Sequence, residues 1–157
     1  MPVAQFFLVP SVYDEQAISD LLVEASRFYA AALYPEMASP PIERVRAFIS
    51  AIDLAHWATG GLPVSQGGKP APYFTCIAMK GRPAEQLNAL MAGFTDLIVK
   101  HLGCDKALVR GRLIEIEPEH WFISGTPASH GRAAEIAARG TAVTGSRSNR
   151  PATRPAG

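Results

Sequence analysis

HWATGGLPVS, His56 to Ser65, recurs as HWFISGTPAS, His120 to Ser129. His, Trp, one Gly, Pro and Ser stand at equivalent places, 64 residues apart. Internal repeats decide architecture before any local propensity does. The register also continues upstream. Arg46 and Arg110 each lie ten residues before their His-Trp pair, inside RVRAFISAID (44–53) and LVRGRLIEIE (108–117). Both runs are rich in β-branched and aliphatic residues and suit strands. Further back, PVAQFFLV (2–9) matches PYFTCIAM (72–79) in pattern, now at a spacing of 70. The first half therefore carries about six extra residues, which the proline-rich YPEMASPPIE (34–43) most simply accommodates.

A helix belongs between the strands of each half. Ile18, Leu21, Leu22, Ala25, Phe28, Tyr29 and Leu33 fall at helical spacing in the first, with Asp14 as its N-cap. Leu87, Leu90, Met91, Phe94, Leu97, Ile98 and Leu102 do so in the second, with Pro83 at its start and Gly103 at its end. Each half is thus strand, helix, strand, then a Gly/Pro-rich turn. A strand–helix–strand unit has parallel strands. Two of them fused predict an α+β fold: a four-stranded sheet with both helices on one face. The expected boundaries are 1–65 for the first unit, 66–71 for a linker and 72–130 for the second, the two forming one compact domain. Residues 131–157 remain as an extension. Its end, TAVTGSRSNRPATRPAG, lacks periodicity and reads as disordered.

At 157 residues and 48% hydrophobic content, the chain has enough apolar material for one core. A formal net charge of +1 supplies no field directed at nucleic acid or an anionic membrane. No apolar run approaches the roughly 20 residues of a membrane span. The N-terminus has no basic region before its apolar stretch, so it does not read as a signal peptide. Cys76 and Cys104 are too far apart for a CxxC pair and read as reduced thiols of a cytoplasmic protein.

The joint order of PVAQ, PIERVRAFIS, KGRPAEQ (80–86) and the two HW…PxS turns resembles the tautomerase superfamily. The short member, 4-oxalocrotonate tautomerase, is one β–α–β unit. This chain is similar, over residues 2 to about 130, to the fused two-unit form, as in cis-3-chloroacrylic acid dehalogenase and malonate semialdehyde decarboxylase. The resemblance implies a cofactor-independent isomerase that moves a proton between carbon and oxygen of a small 2-oxo or enol carboxylic acid. It implies a homotrimer, no cofactor or metal, and Pro2 as general base once Met1 is removed. Decarboxylation, or dehalogenation and hydration of haloacrylates, are the alternative activities within the same resemblance. With Met1 retained, Pro2 nitrogen is an amide, and the alternative is a non-catalytic trimeric module.

The chemistry is simple to state. An N-terminal amine has an ordinary pKa near 7.7–8.0. An apolar pocket and a neighbouring cation lower it, which leaves a neutral base at pH 7. An arginine clamps a carboxylate through two parallel hydrogen bonds and stabilises a developing enolate.

The family places an arginine ten residues after the proline. The second half has Arg82 after Pro72; the first has Val12 after Pro2. In the family this arginine serves the proline of the neighbouring unit, so Arg82 would serve Pro2. Pro72 is inside the chain as an amide, and the arginine lost at Val12 is the one that would have served it. Arg46 and Arg110 both match an arginine supplied by a further subunit, and Trp57 and Trp121 both match an aromatic wall. The sequence leaves open which of each pair completes the site. His56 and His120 read as turn residues. Ile123 stands where the dehalogenase carries its water-orienting glutamate, Tyr29 where it carries a helix histidine, and Arg112 near its last-strand tyrosine. Glu43 loosely matches the decarboxylase aspartate, and Lys80 a second arginine of that enzyme.

Overall fold

The computed structural model describes residues 2–131 and 133. The first unit contributes β1 (Val3–Leu8), α1 (Glu15–Leu33), β2 (Arg46–Ala51) and a small hairpin, β3 (Ala58–Thr59) with β4 (Leu62–Pro63). The second contributes β5 (Tyr73–Met79), α2 (Ala84–Leu102), β6 (Arg110–Ile116) and a matching hairpin, β7 (Phe122–Ile123) with β8 (Thr126–Pro127). A single short turn of helix, α3 (Ala128–Gly131), follows. The extension expected over 131–157 lies outside the described residues, apart from Gly131 and Ala133.

The sheet runs β2-β1-β5-β6, with β1 parallel to β2 and β5 parallel to β6. The units join at its centre, where β1 and β5 pair antiparallel with Val3 opposite Ile77 and Phe7 opposite Tyr73. That central pairing relates the two units by a pseudo-twofold. The head of β1 lies beside the end of β5, and the head of β5 beside the end of β1.

Period-2 alternation sends Ala4, Phe6, Leu8, Phe74, Cys76 and Ala78 to the helix side, where all are buried. Phe94 of α2 is the hub. Its ring meets Phe6, Phe28, Phe74 and Tyr29 at centroid distances of 5.0–5.9 Å. Gly93 lets the helices approach: a Cβ there would come within 2.1 Å of the Phe28 ring. Asp14 caps α1 by accepting from the Gln16 and Ala17 amides. Pro83 stands just before α2, and Gly103 ends it in the left-handed conformation at φ 61°.

The other face of the sheet is bare and mixed rather than simply apolar. Phe48 is 43% exposed. Beside it, Gln5 donates to Ser50 Oγ at 2.7 Å, and Phe7 packs on Tyr73 at 5.4 Å. The register adds Thr75 and Arg112 to the same row as Gln5. Among the described residues no helix is long and apolar enough to cross a membrane.

The extra length of the first unit is divided. Its helix-to-strand connection, 34–45, is five residues longer than its counterpart, 103–109. The remaining residue lies between Pro2 and the start of α1. This corrects the one-to-one match of Arg82 with Val12. Counted from the proline the counterpart is Val12; counted from the helix it is Tyr13. Val12 is exposed in a 3-10 turn, and the Tyr13 hydroxyl donates to the Pro70 carbonyl at 3.0 Å. Burial, and then Cys104, push the Tyr13 pKa up to about 12. On either count no arginine is present.

Candidate active site

Antiparallel pairing brings the candidate base and the candidate clamp to one end of the sheet. Pro2 is buried at the head of β1, and its carbonyl accepts from the Arg46 amide at 3.0 Å. Continuing the β1–β5 register sets Pro2 beside Ala78, near the end of β5. Arg82 leaves β5 three residues after Met79 and precedes α2.

Tyr29 of α1 lies beneath this end of β5. It is fully buried, and its hydroxyl donates to the Ile77 carbonyl at 2.8 Å. Burial drives its pKa up, with Cys76 adding to the rise, while the Arg82 charge acts on it in the opposite direction. The phenol is therefore neutral throughout the physiological range. This alters the expectation of Tyr29 as a substrate-binding group: its ring is closed into the core against Phe94, so what it contributes is the position of the β5 end. Burial also holds the Cys76 thiol protonated.

Arg82 has a structural task that sequence gave no reason to expect. Its guanidinium donates to the Leu33 carbonyl at 2.7 Å, and Gln86 donates to the Ala32 carbonyl at 2.7 Å. These are orphan carbonyls in the last turn of α1, which has no basic residue of its own there. The second unit thus caps the helix of the first and sets a cation at the negative end of its dipole. The guanidinium also lies 5.7 Å from the Tyr34 ring centroid, and Arg44 lies 5.8 Å from it. A cavity of about 520 Å³ opens here, lined by Tyr34, Met37, Gly81, Arg82, Glu85 and Gln86 among others. Gln86 lay within the KGRPAEQ motif one turn beyond Arg82 and could have been singled out on spacing. Tyr34 had no such signal.

The pairs left open by sequence separate by topology. β6 runs parallel to β5, so the hairpin after it, with Trp121 and Ile123, stands at the Pro2 end. Trp121 Nε1 is buried with no hydrogen-bond partner among the described residues. Trp57 goes to the opposite end, where it lines a cavity with Pro72, Tyr73 and Arg110. Within one chain, Arg46 therefore belongs with Pro2 and Arg110 with Pro72. The two arginines are held alike. Arg46 donates from Nη1 to the Glu43 and Val45 carbonyls at 2.8 Å, and Arg110 to Ala107 and Val109 at 2.7 and 2.9 Å. Glu43 itself is exposed beside Arg44 Nε at 3.8 Å, and Lys80 pairs with Glu117 at 2.5 Å.

The model of the tautomerase enzyme family matches residues 72–131. No curated protein matches the chain in sequence. Solved structures do match in fold. One is a protein inactivated by 2-oxo-3-pentynoate, with TM-score 0.69 and 20% identity over 83% of this chain and 98% of that one. A fused 4-oxalocrotonate tautomerase, described as a symmetric trimer, gives 0.68 and 20% over 81% and 98%. A member of the cis-3-chloroacrylic acid dehalogenase family gives 0.64 and 13% over 91% and 99%. The second unit thus carries a tautomerase-family sequence, and the described chain has the fold of the fused two-unit tautomerase structures.

Proposed function

We propose that the protein is a cofactor-independent tautomerase of small 2-oxo or enol carboxylic acids, with the Pro2 amine as general base and then general acid. The observation that carries this reading is the antiparallel β1–β5 pairing, which brings buried Pro2 to the sheet end where Arg82 lines an open cavity. Arg82 binds the substrate carboxylate. The neutral amine removes a proton from carbon or from the enol oxygen and returns it to the other atom, so the reaction is balanced without a co-reactant. Arg82 also disfavours protonation of the amine and so keeps it in the neutral form that can accept a proton at pH 7. Trp121 and Ile123 limit water at this end. An apolar Ile123 in the place of a water-orienting carboxylate favours proton transfer over hydration.

2-Oxo-3-pentynoate, which inactivates a structural neighbour, tests the assignment. Incubation is expected to abolish ketonisation of phenylenolpyruvate and 2-hydroxymuconate, and to add one equivalent per chain, mapped by peptide mass to Pro2. Label on Cys104 with the N-terminal peptide unmodified would overturn it.

The same reading includes a homotrimer. The bare sheet face with Phe48 needs cover, and closed symmetric association supplies it. Sedimentation at micromolar concentration is expected to give a trimer; a stable monomer would refute this.

A further inference from the structure

The pseudo-twofold that builds the Pro2 site also builds its counterpart at the other end of the sheet, and that counterpart is not empty of chemistry. A cavity of about 320 Å³ is lined there by Trp57, Thr59, Pro72, Tyr73, Leu108 and Arg110, among others. The hairpin that follows β2 crosses the end of β1 to reach it, so both units contribute walls. The parts repeat those of the Pro2 end. A proline heads its strand and accepts from an arginine amide, at 3.1 Å for Pro72 and Arg110. An indole comes from the hairpin after the other unit's second strand, here β2, and the arginine side chain is anchored through one nitrogen to the preceding turn. What differs is the nitrogen of the proline. Pro72 is an amide inside the chain and cannot carry a proton.

We propose that this cavity is a second, non-catalytic binding site for a small planar carboxylate, held by Arg110 and faced by Trp57 and Tyr73. Nη1 of Arg110 is committed to two carbonyls, which fixes the plane of the guanidinium. Its remaining N–H groups are the donors a carboxylate takes bidentately. Flat aromatic walls select a flat ligand over a branched one. The Thr59 hydroxyl adds a polar contact at the rim. The ligand class follows from this lining itself and not from proton transfer at Pro2. The site would sense the same class of molecule that the Pro2 end transforms, without turning it over.

The chain has two tryptophans, one at each end, so their indole N–H signals resolve the two sites. Titration of the full-length protein with benzoylformate, a planar 2-oxo acid with no enolisable proton, is followed by ¹H–¹⁵N NMR, with assignment by Trp57→Phe. The Trp57 signal is expected to shift and saturate in the millimolar range or below. Arg110→Ala is expected to weaken that shift at least tenfold. Because Arg110 also holds its turn, Ala58→Phe, which fills the cavity and leaves Arg110 in place, is expected to abolish the Trp57 shift as well. A Trp57 signal unmoved at 20-fold higher ligand, or an equal shift in a folded Ala58→Phe protein, would overturn the proposal. Failure of the Pro2 assignment would instead appear at Trp121 and in turnover, leaving the Trp57 result intact.

Discussion

Acetylating the Pro2 nitrogen, or keeping an uncleaved extension on it, is expected to remove nearly all tautomerase activity while the protein stays folded. The reason is protonic. An amide nitrogen has no basic lone pair, and positioned acid–base catalysis contributes about 10²–10⁴-fold. Little of the fold depends on that nitrogen. Pro2 joins the sheet through its carbonyl, which accepts from Arg46, and the β1 ladder begins at Val3. Pro2→Ala leaves a primary amine at the same place and is expected to keep partial activity, which separates loss of basicity from loss of shape. In the unmodified protein, the rate should rise with pH through a pKa below the ordinary 7.7–8.0 of an N-terminal amine, because only the neutral form acts. Intact mass shows whether Met1 is absent, and steady-state kinetics of the tagged and untagged chains measure the effect. Full activity in a chain carrying the extension would defeat the assignment of Pro2.

Arg82→Ala is expected to lower kcat/KM roughly tenfold to a hundredfold, corresponding to loss of a charge-assisted contact of about 1.5–3 kcal/mol. The Pro2 pKa should rise in the same variant, since the removed cation had opposed protonation. Arg82 also caps a helix. Its bond to the Leu33 carbonyl satisfies an α1 terminus, so the variant should lose stability as well as activity. Gln86→Ala separates the two effects. It removes the neighbouring cap on Ala32, worth about 1 kcal/mol, together with a long 3.4 Å contact that Gln86 accepts from Arg82, and leaves the Arg82 charge and its bond to Leu33 in place. It should therefore lower the denaturation midpoint with only a small change in kcat/KM. Pro72→Ala should leave turnover close to that of the parent protein, because that nitrogen carries no proton in either case. Kinetics, an NMR titration of Pro2 and chemical denaturation of the three variants check these outcomes. A folded Pro72→Ala protein as impaired as Arg82→Ala would rule out a single working end per chain.

Much of this architecture is written in local patterns that need no tertiary partner. The His-Trp repeat establishes two units. The i, i+3, i+4 spacing from Ile18 to Leu33 and from Leu87 to Leu102 establishes their helices, and Asp14 and Gly103 mark termini by chemistry confined to one turn. Alternation along PVAQFFLV and PYFTCIAM likewise sorts helix-facing from outward residues. What sequence could not decide is everything set by contact between the units. Antiparallel pairing of β1 with β5 places Arg82 at the Pro2 end, and no periodicity in either strand encodes that choice. The same pairing sends Trp121 to one end of the sheet and Trp57 to the other, though the two motifs are nearly identical as text. It also turns Arg82 and Gln86 into caps for a helix some fifty residues away in sequence. Spacing locates a residue along its own element, because the backbone repeats over a few residues. Which element lies across from it depends on burying both apolar faces at once, and only the folded chain satisfies that condition.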